Sequence, residues 1–261
     1  MKYDIIASNI IQWLKSYSKK SKTNGFVIGI SGGIDSALTS TLCASTGLPT
    51  ICIDMPIMQS QNEVNRASNH IKWLQKRFNN VIHKSIDLNN TFSSFKNTVE
   101  QKNNKNNFLS LANSRSRLRM TTLYYFAGIN NHLVAGTGNK VEDFGIGFYT
   151  KYGDGGVDIS PIADLNKTDV FEISKILGVL DEIIKAKPTD GLWDDGRTDE
   201  DQIGATYKEL EWAMQQKDLN KKLIDFKGRE KEVFQILKKF NKQNLHKMNP
   251  IPIYKVPEIL K

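Results

Sequence analysis

Residues 25–40 read GFVIGISGGIDSALTS, and no other stretch constrains the fold as tightly. Phe26, Val27, Ile28 and Ile30 make a short apolar strand without polar alternation, the pattern of a strand covered on both faces. The chain then breaks into Ser31-Gly32-Gly33-Ile34-Asp35-Ser36 and resumes as a helix near 35–46 rich in small residues. A strand that runs through glycines into a helix start belongs to a parallel sheet with crossover helices, and such sheets bind ligands at the carboxyl ends of their strands. Glycines let backbone N–H groups approach an anion, and the helix start adds partial positive charge. Ser31 and Ser36 add hydroxyl donors. The stretch therefore predicts a phosphate or pyrophosphate cradle. It is not the P-loop GxxxxGK[ST], because Asp35 stands where that loop has its Lys. An acid beside phosphates calls for a Mg²⁺ between them.

The rest of the chain repeats the alternation. A helix is predicted over 4–19, with Ile5, Ile6, Ile10, Trp13, Leu14 and Tyr17 on one stripe. Strands are predicted at 50–54 (TICID), 81–86 (VIHKSI) and 132–137 (HLVAGT), with helices at 60–78, 88–100 and 108–130 between them. QKNNKNN (101–107) reads as a polar surface loop. FGIGFYTKYGDGGVD (144–158) is too rich in Gly for a regular element. Helices follow near 167–177, 200–216 and 228–244, and the prolines of the last residues make the tail extended. No internal repeat is visible. The expectation is an α/β, doubly wound parallel sheet flanked by helices, with a helical C-terminal portion, in one domain over 1–261.

Composition narrows function. No run approaches the 18 or so apolar residues of a membrane span, and the amphipathic N-terminus is not a signal peptide, so a cytoplasmic protein is expected. Cys43 and Cys52 lie among apolar neighbours, are expected to be free buried thiols, and are too few for a zinc or disulfide framework. The net charge of +8 invites a nucleic-acid reading, but of 36 basic residues only seven are Arg, and the Lys are scattered. Neither a nucleic-acid nor a membrane partner is expected. Arg115, Arg117 and Arg119 crowd together; on a helix Arg115 and Arg119 share a face that Arg117 does not. Arg115 and Arg119 are expected to form salt bridges on the surface or at a subunit contact.

With these residues in view, SGGIDS resembles the pyrophosphate loop of the N-type ATP pyrophosphatases, a superfamily that includes GMP, asparagine, argininosuccinate and NAD synthetases. AGTGNKVEDFGIGFYTKYGDGGVDISPIADLNKTDVF (135–171) resembles the central block of NAD synthetases. NSRSRLRM (113–120) is similar to that family's Arg helix; KPTDGLW (187–193), TDEDQIGATY (198–207) and the pair His246-Lys247 resemble later segments. The likeness covers nearly the whole chain in order. It implies an adenine nucleotide alpha hydrolase-like fold and an ammonia-dependent C–N ligase. ATP is the implied co-substrate, Mg²⁺ the cofactor, and nicotinate adenine dinucleotide (deamido-NAD) and ammonia the substrates, in a homodimer.

The resemblance also implies roles. Gly29, Ile30, Ser31, Gly32, Gly33, Ile34, Asp35 and Ser36 would form the ATP site together with Thr137, Lys167 and Thr189. Asp35 and Glu142 would hold the metal. Lys167 would face the ATP phosphates; a lone Lys at a helix start opposes the helix dipole, which supports a function for it. Arg117, Lys151, Asp158, His246 and Lys247 match substrate contacts, and Asp154 matches an acid near the ammonia site. Asp35, Lys167 and Asp154 are the implied catalytic set.

This chain departs from the family pattern in three places. Ser114 and Ser116 replace small or amide residues of the Arg helix, the Glu142–Lys151 spacing is one residue longer than in one branch, and KAKPTDG displaces Lys187, which receives no role. No glutaminase domain precedes the ATP loop, so free ammonia is the expected nitrogen donor. Three other functions are weighed: NMN synthesis from nicotinate mononucleotide, tRNA modification by adenylation, and a non-catalytic adenine-nucleotide module.

Overall fold

The computed structural model describes residues 2–101, 103–189 and 198–261. Four strands form one parallel sheet: β1 (Phe26–Gly29), β2 (Thr50–Asp54), β3 (Val81–Ser85) and β4 (Leu133–Val134), in the order β3-β2-β1-β4. Phe26 pairs with Thr50 on one side and with Leu133 on the other. The chain steps outward from β1 to β2 to β3 and then returns to the far side of β1. The strand order reverses between β1 and β4, the switch point where such sheets open a crevice at their carboxyl ends.

Helices cover both faces, as the unalternating strands require. Phe26 and Ile28 of β1 point into a core shared with α1 (Tyr3–Ser21), α2 (Ile34–Ala44), α3 (Gln61–Arg77) and α6 (Lys167–Ile176), through Leu14, Leu38, Leu42, Ile71, Val170 and Ile173. Val27, with Ile51 and Ile53, points the other way onto α4 (Asn89–Val99) and α5 (Asn107–Asn130), against Phe92, Met120 and Leu123. The two thiols, Cys43 and Cys52, are free and buried. A third core gathers α8 (Asp199–Ile203), α9 (Tyr207–Asp218) and α10 (Gly228–Met248) around Leu210, Phe234 and Leu237. Val141 and Ile146 plug into that core. The helical C-terminal portion thereby anchors the chain that leaves β4.

Several elements differ from expectation for local reasons. The fourth strand is two residues long; beyond it Ala135 makes a single parallel bridge to Ile159. The Gly-rich stretch begins with a π-helical turn, Val141–Ile146, started by Asn139, whose Oδ1 accepts from the N–H groups of Val141 and Glu142. The helix expected over 200–216 is two, α8 and α9, because Gly204 takes a left-handed φ of 81° and Thr206 caps α9 through the Glu209 N–H. A short α7 (Asp181–Ile184) has no counterpart in the expected elements. On α1, Leu14 is buried but Trp13 and Tyr17 of the expected stripe are exposed. Among the described residues no helix is long and apolar enough to cross a membrane.

Candidate active site

The break after β1 folds as the sequence requires. Gly32 holds φ +83°, and a Cβ there would lie 2.7 Å from the Glu63 carbonyl oxygen of α3, so only glycine fits. Gly33 is the extended residue before α2. The Gly33 N–H donates to Ser31 Oγ at 3.1 Å, and the Ser36 hydroxyl donates to the Gly33 carbonyl at 2.9 Å. These bonds hold the loop as an open cradle over the α2 N-terminus.

Opposite it, beyond β4, lie Thr137, Asn139 and Glu142. Lys167 is the first residue of α6, is 2% exposed, and points between the two sides. Its Nζ donates to Asp35 Oδ2 at 2.5 Å and to Glu142 Oε1 at 3.0 Å. Asn139 Nδ2 donates to Asp35 Oδ1 at 3.0 Å. The Tyr207 hydroxyl donates to Glu142 Oε1 at 2.6 Å, and its ring lies under the Lys167 ammonium, 4.8 Å from the ring centre. Two carboxylates, one from the first turn of α2 after β1 and one from the π-helical turn after β4, thus converge on one positive charge. This answers the puzzle of a Lys at a helix start: the paired carboxylates outweigh the unfavourable dipole.

Burial shapes the ionisation of this cluster. Burial disfavours the charged Lys167, but Asp35 and Glu142 outweigh it and raise its pKa. Burial raises the Asp35 carboxyl, against the pull of Lys167 and with the repulsion of Glu142. Burial also acts on Glu142, but Lys167, the Tyr207 hydroxyl and Asn139 prevail and hold it below the usual range. Neighbouring Asp143 is lifted to about 8 by burial and by the charges of Glu142, Asp154 and Asp35. The site is a pocket of excess negative charge with one buried cation. Its oxygen donors are those a hard divalent ion takes, and Lys167 already occupies a cation's position between them. Two carboxylates suit an Mg²⁺ that is shared with substrate phosphates, while among the described residues no group of three or more acidic, histidine or cysteine side chains holds one on its own.

A second group of residues forms the outer wall. Loop 147–158 is gripped by α5 and by the end of α10. Arg117 Nε donates to the Lys151 carbonyl at 3.2 Å. Lys247 Nζ donates to the carbonyls of Gly147 and Tyr149, at 3.0 and 2.8 Å, and Lys151 Nζ to the His246 carbonyl at 2.8 Å. Asp158 accepts from the Tyr124 hydroxyl at 2.9 Å and from the Val134 N–H at 2.8 Å. Asp154 is solvent-accessible in the 147–158 loop, yet neighbouring protein crowds its carboxylate. That crowding and the Glu142 charge raise its pKa, against hydrogen bonds from the Ser116 hydroxyl and the Thr150 N–H.

A family model described as NAD synthase matches residues 6–251. The chain belongs to the NAD synthase family. The NH(3)-dependent NAD(+) synthetase of Finegoldia magna is 38% identical over 235 residues, covering 89% of this chain and 93% of that protein. The solved NMN synthetase of Francisella tularensis superposes with a TM-score of 0.84 at 29% identity, covering 99% of each chain. The NH3-dependent NAD synthetase of Campylobacter jejuni does so with a TM-score of 0.79 at 25% identity, covering 98% of this chain and 100% of that one.

Within this member of the NAD synthase family, the expected residues fall into two groups. Asp35, Glu142, Lys167 and the 29–36 loop meet at the switch point, with Thr137 in the chain that leaves β4. Arg117, Lys151, Asp154, Asp158, His246 and Lys247 line or brace the 147–158 loop. Thr189 is exposed, in irregular chain at the edge of the described residues; the rest of KPTDGLW, 190–193, lies outside them. The expectation for Arg115 and Arg119 needs correction. Arg115 is buried, its guanidinium 5.8 Å from the Phe92 ring centre, and Arg119 donates to the Met55 carbonyl at 3.0 Å, so both turn into the protein rather than onto its surface. Sequence reasoning missed Asn139 and Tyr207. Both stood inside stretches marked by resemblance, but nothing in their type or spacing announced that they orient Asp35 and Glu142.

Proposed function

We propose that this protein amidates nicotinate adenine dinucleotide with ammonia at the expense of ATP, giving NAD, AMP and pyrophosphate. One observation carries the reading: Asp35 and Glu142, from the segments that follow β1 and β4, share a single buried cation, Lys167, beside a glycine loop at the switch point. Reactions that bring a carboxylate against a polyphosphate need such concentrated, opposed charges. The family membership and the named relatives support the same reaction.

In the proposed mechanism the 29–36 loop receives the ATP phosphates on its N–H groups and the α2 N-terminus, with Thr137 and Thr189 as further ATP contacts. Asp35 and Glu142 would hold Mg²⁺, which when bound neutralises phosphate charge during pyrophosphate departure. A carboxylate oxygen of the substrate attacks the α-phosphorus, the bond to pyrophosphate breaks, and an acyl adenylate forms. Lys167 is drawn from its carboxylates toward the departing pyrophosphate. Ammonia then attacks the acyl carbon, the C–N bond forms, the C–O bond to AMP breaks, and Asp154 takes up the proton that nitrogen loses. Arg117, Lys151, Asp158, His246 and Lys247 contact the dinucleotide, and the loop they brace excludes water from the adenylate.

The proposal includes a single domain over 1–261, a cytoplasmic location where ATP is available, and association of two copies. The last is supported by the exposed Tyr125 and Ile129 on α5 and is checked by sedimentation. The likeness to a protein named NMN synthetase favours one second reading, with nicotinate mononucleotide as acceptor. The test is pyrophosphate release with ATP, Mg²⁺ and ammonium, offering each acceptor in turn. Release with the dinucleotide and formation of NAD is the expected result. Preference for the mononucleotide supports the second reading, and release with neither overturns both.

A further inference from the structure

Ser116 does more than fill space on α5. Its hydroxyl donates to Asp154 Oδ1 at 2.6 Å and accepts from the Asp154 backbone N–H at 2.9 Å. One hydroxyl thereby holds both the side chain and the backbone of one residue, and its single proton is committed to the carboxylate. The Thr150 N–H donates to the same oxygen at 3.0 Å. One turn earlier on the helix, Asn113 Oδ1 accepts from the Thr150 hydroxyl at 2.7 Å, and one residue later Arg117 reaches the Lys151 carbonyl. Asn113, Ser116 and Arg117 share a helical face, which is why three points along loop 150–154 are gripped together. The approach is close: a Cβ on the buried Gly153 would collide with the Ser116 hydroxyl and lie 2.9 Å from its Cβ. Among the described residues, Asp154 Oδ2 has no hydrogen-bond partner.

We infer that Ser116 is a positioning residue for amide formation: it fixes Asp154 by Oδ1 and leaves the unpaired Oδ2 to take the proton from the incoming ammonia. The inference rests on the proposed role of Asp154 and goes beyond it, because the resemblance assigns Ser116 nothing and the sequence marks it only as a departure. A carboxylate with both oxygens free to rotate meets a small, weakly held nucleophile in many orientations. One held by two donors on a single oxygen presents the other in one orientation.

The experiment compares Ser116→Ala, Asp154→Asn and the double variant, all as full-length protein. Two rates are read for each: ATP-dependent adenylation of the dinucleotide without ammonium, and amide formation across an ammonium series. Ser116→Ala removes a charge-assisted hydrogen bond and is expected to raise the KM for ammonium about ten-fold, leaving adenylation within about two-fold of wild type. In the Asp154→Asn background it is expected to add almost nothing, because it acts through that carboxylate. If Ser116→Ala lowers both rates together, or costs as much in the Asp154→Asn background as in wild type, the serine only holds the loop and the inference is overturned. If Asp154→Asn leaves the ammonium dependence unchanged, the role of Asp154 fails first and the inference with it.

Discussion

Replacing Lys167 by Met tests the charge arrangement at the switch point. The side chain is similar in length and can rest its thioether on the Tyr207 ring where the ammonium lies, but the cation is gone. Asp35 and Glu142 are then left facing one another, each with only 17% of its side chain exposed. Removing one partner of a buried ion pair costs about 3–5 kcal/mol, and the residual exposure here sets the expectation at the low end, about 3 kcal/mol. For a chain of this size that is a fall in Tm of roughly 6–12 °C. A second, sharper expectation concerns the metal. Carboxylates that lack their lysine become a vacant divalent site, so Mg²⁺ at about 100 times its Kd restores about 2.7 kcal/mol to the variant. Wild type without ATP gains much less, because Lys167 already occupies the position. The assay is thermal unfolding of both proteins in chelator and across a Mg²⁺ series, with pyrophosphate release measured alongside and expected to drop about 10²–10³-fold. A variant as stable as wild type, or one that Mg²⁺ does not stabilise, refutes the reasoning.

Three further perturbations follow from named contacts. Gly32→Ala places a Cβ against the Glu63 carbonyl at positive φ; it is expected to cost about 1–3 kcal/mol and to weaken ATP binding at least about ten-fold by calorimetry. Tyr207→Phe removes the hydroxyl from Glu142 and is expected to raise the Mg²⁺ concentration needed for half-maximal turnover, with a loss of about 1.5–3 kcal/mol at most. His70, buried beside Ser40, has its pKa lowered from 6.5 to about 4 by burial, so the unfolded chain takes up a proton first as pH falls. Stability is expected to drop by about 2 kcal/mol between about pH 7 and pH 5, and His70→Phe is expected to remove that part of the pH dependence in denaturant titrations.

Much of the architecture was legible because it depends on local pattern. Unalternating runs such as TICID can only be buried strands, and the SGG break between strand and helix marks its own place at a strand end. Asp35 was legible from the loop it stands in, whereas Glu142 and Lys167 were marked by the resemblance to NAD synthetases; the structure brings the three side chains together. What escaped were features that depend on residues distant in sequence. Tyr207 reaches Glu142 only because a third core, built from the C-terminal helices, seats the π-helical turn against α9. The break at Gly204 was hidden by a helical pattern on both sides of it. Arg115 and Arg119 read as surface residues from charge alone, yet their partners are the Phe92 ring and the Met55 carbonyl, one on a neighbouring helix and the other at the end of β2. Periodicity places a residue on a helix face but does not reveal what that face meets.

The central claim is that the substrate carboxylate is adenylated and that ammonia displaces AMP. Oxygen-18 in that carboxylate tests it directly, read by mass spectrometry of the products. The account predicts one labelled oxygen in AMP and one retained in the amide of NAD, with none in pyrophosphate. Label in released phosphate, or AMP without label, would contradict it.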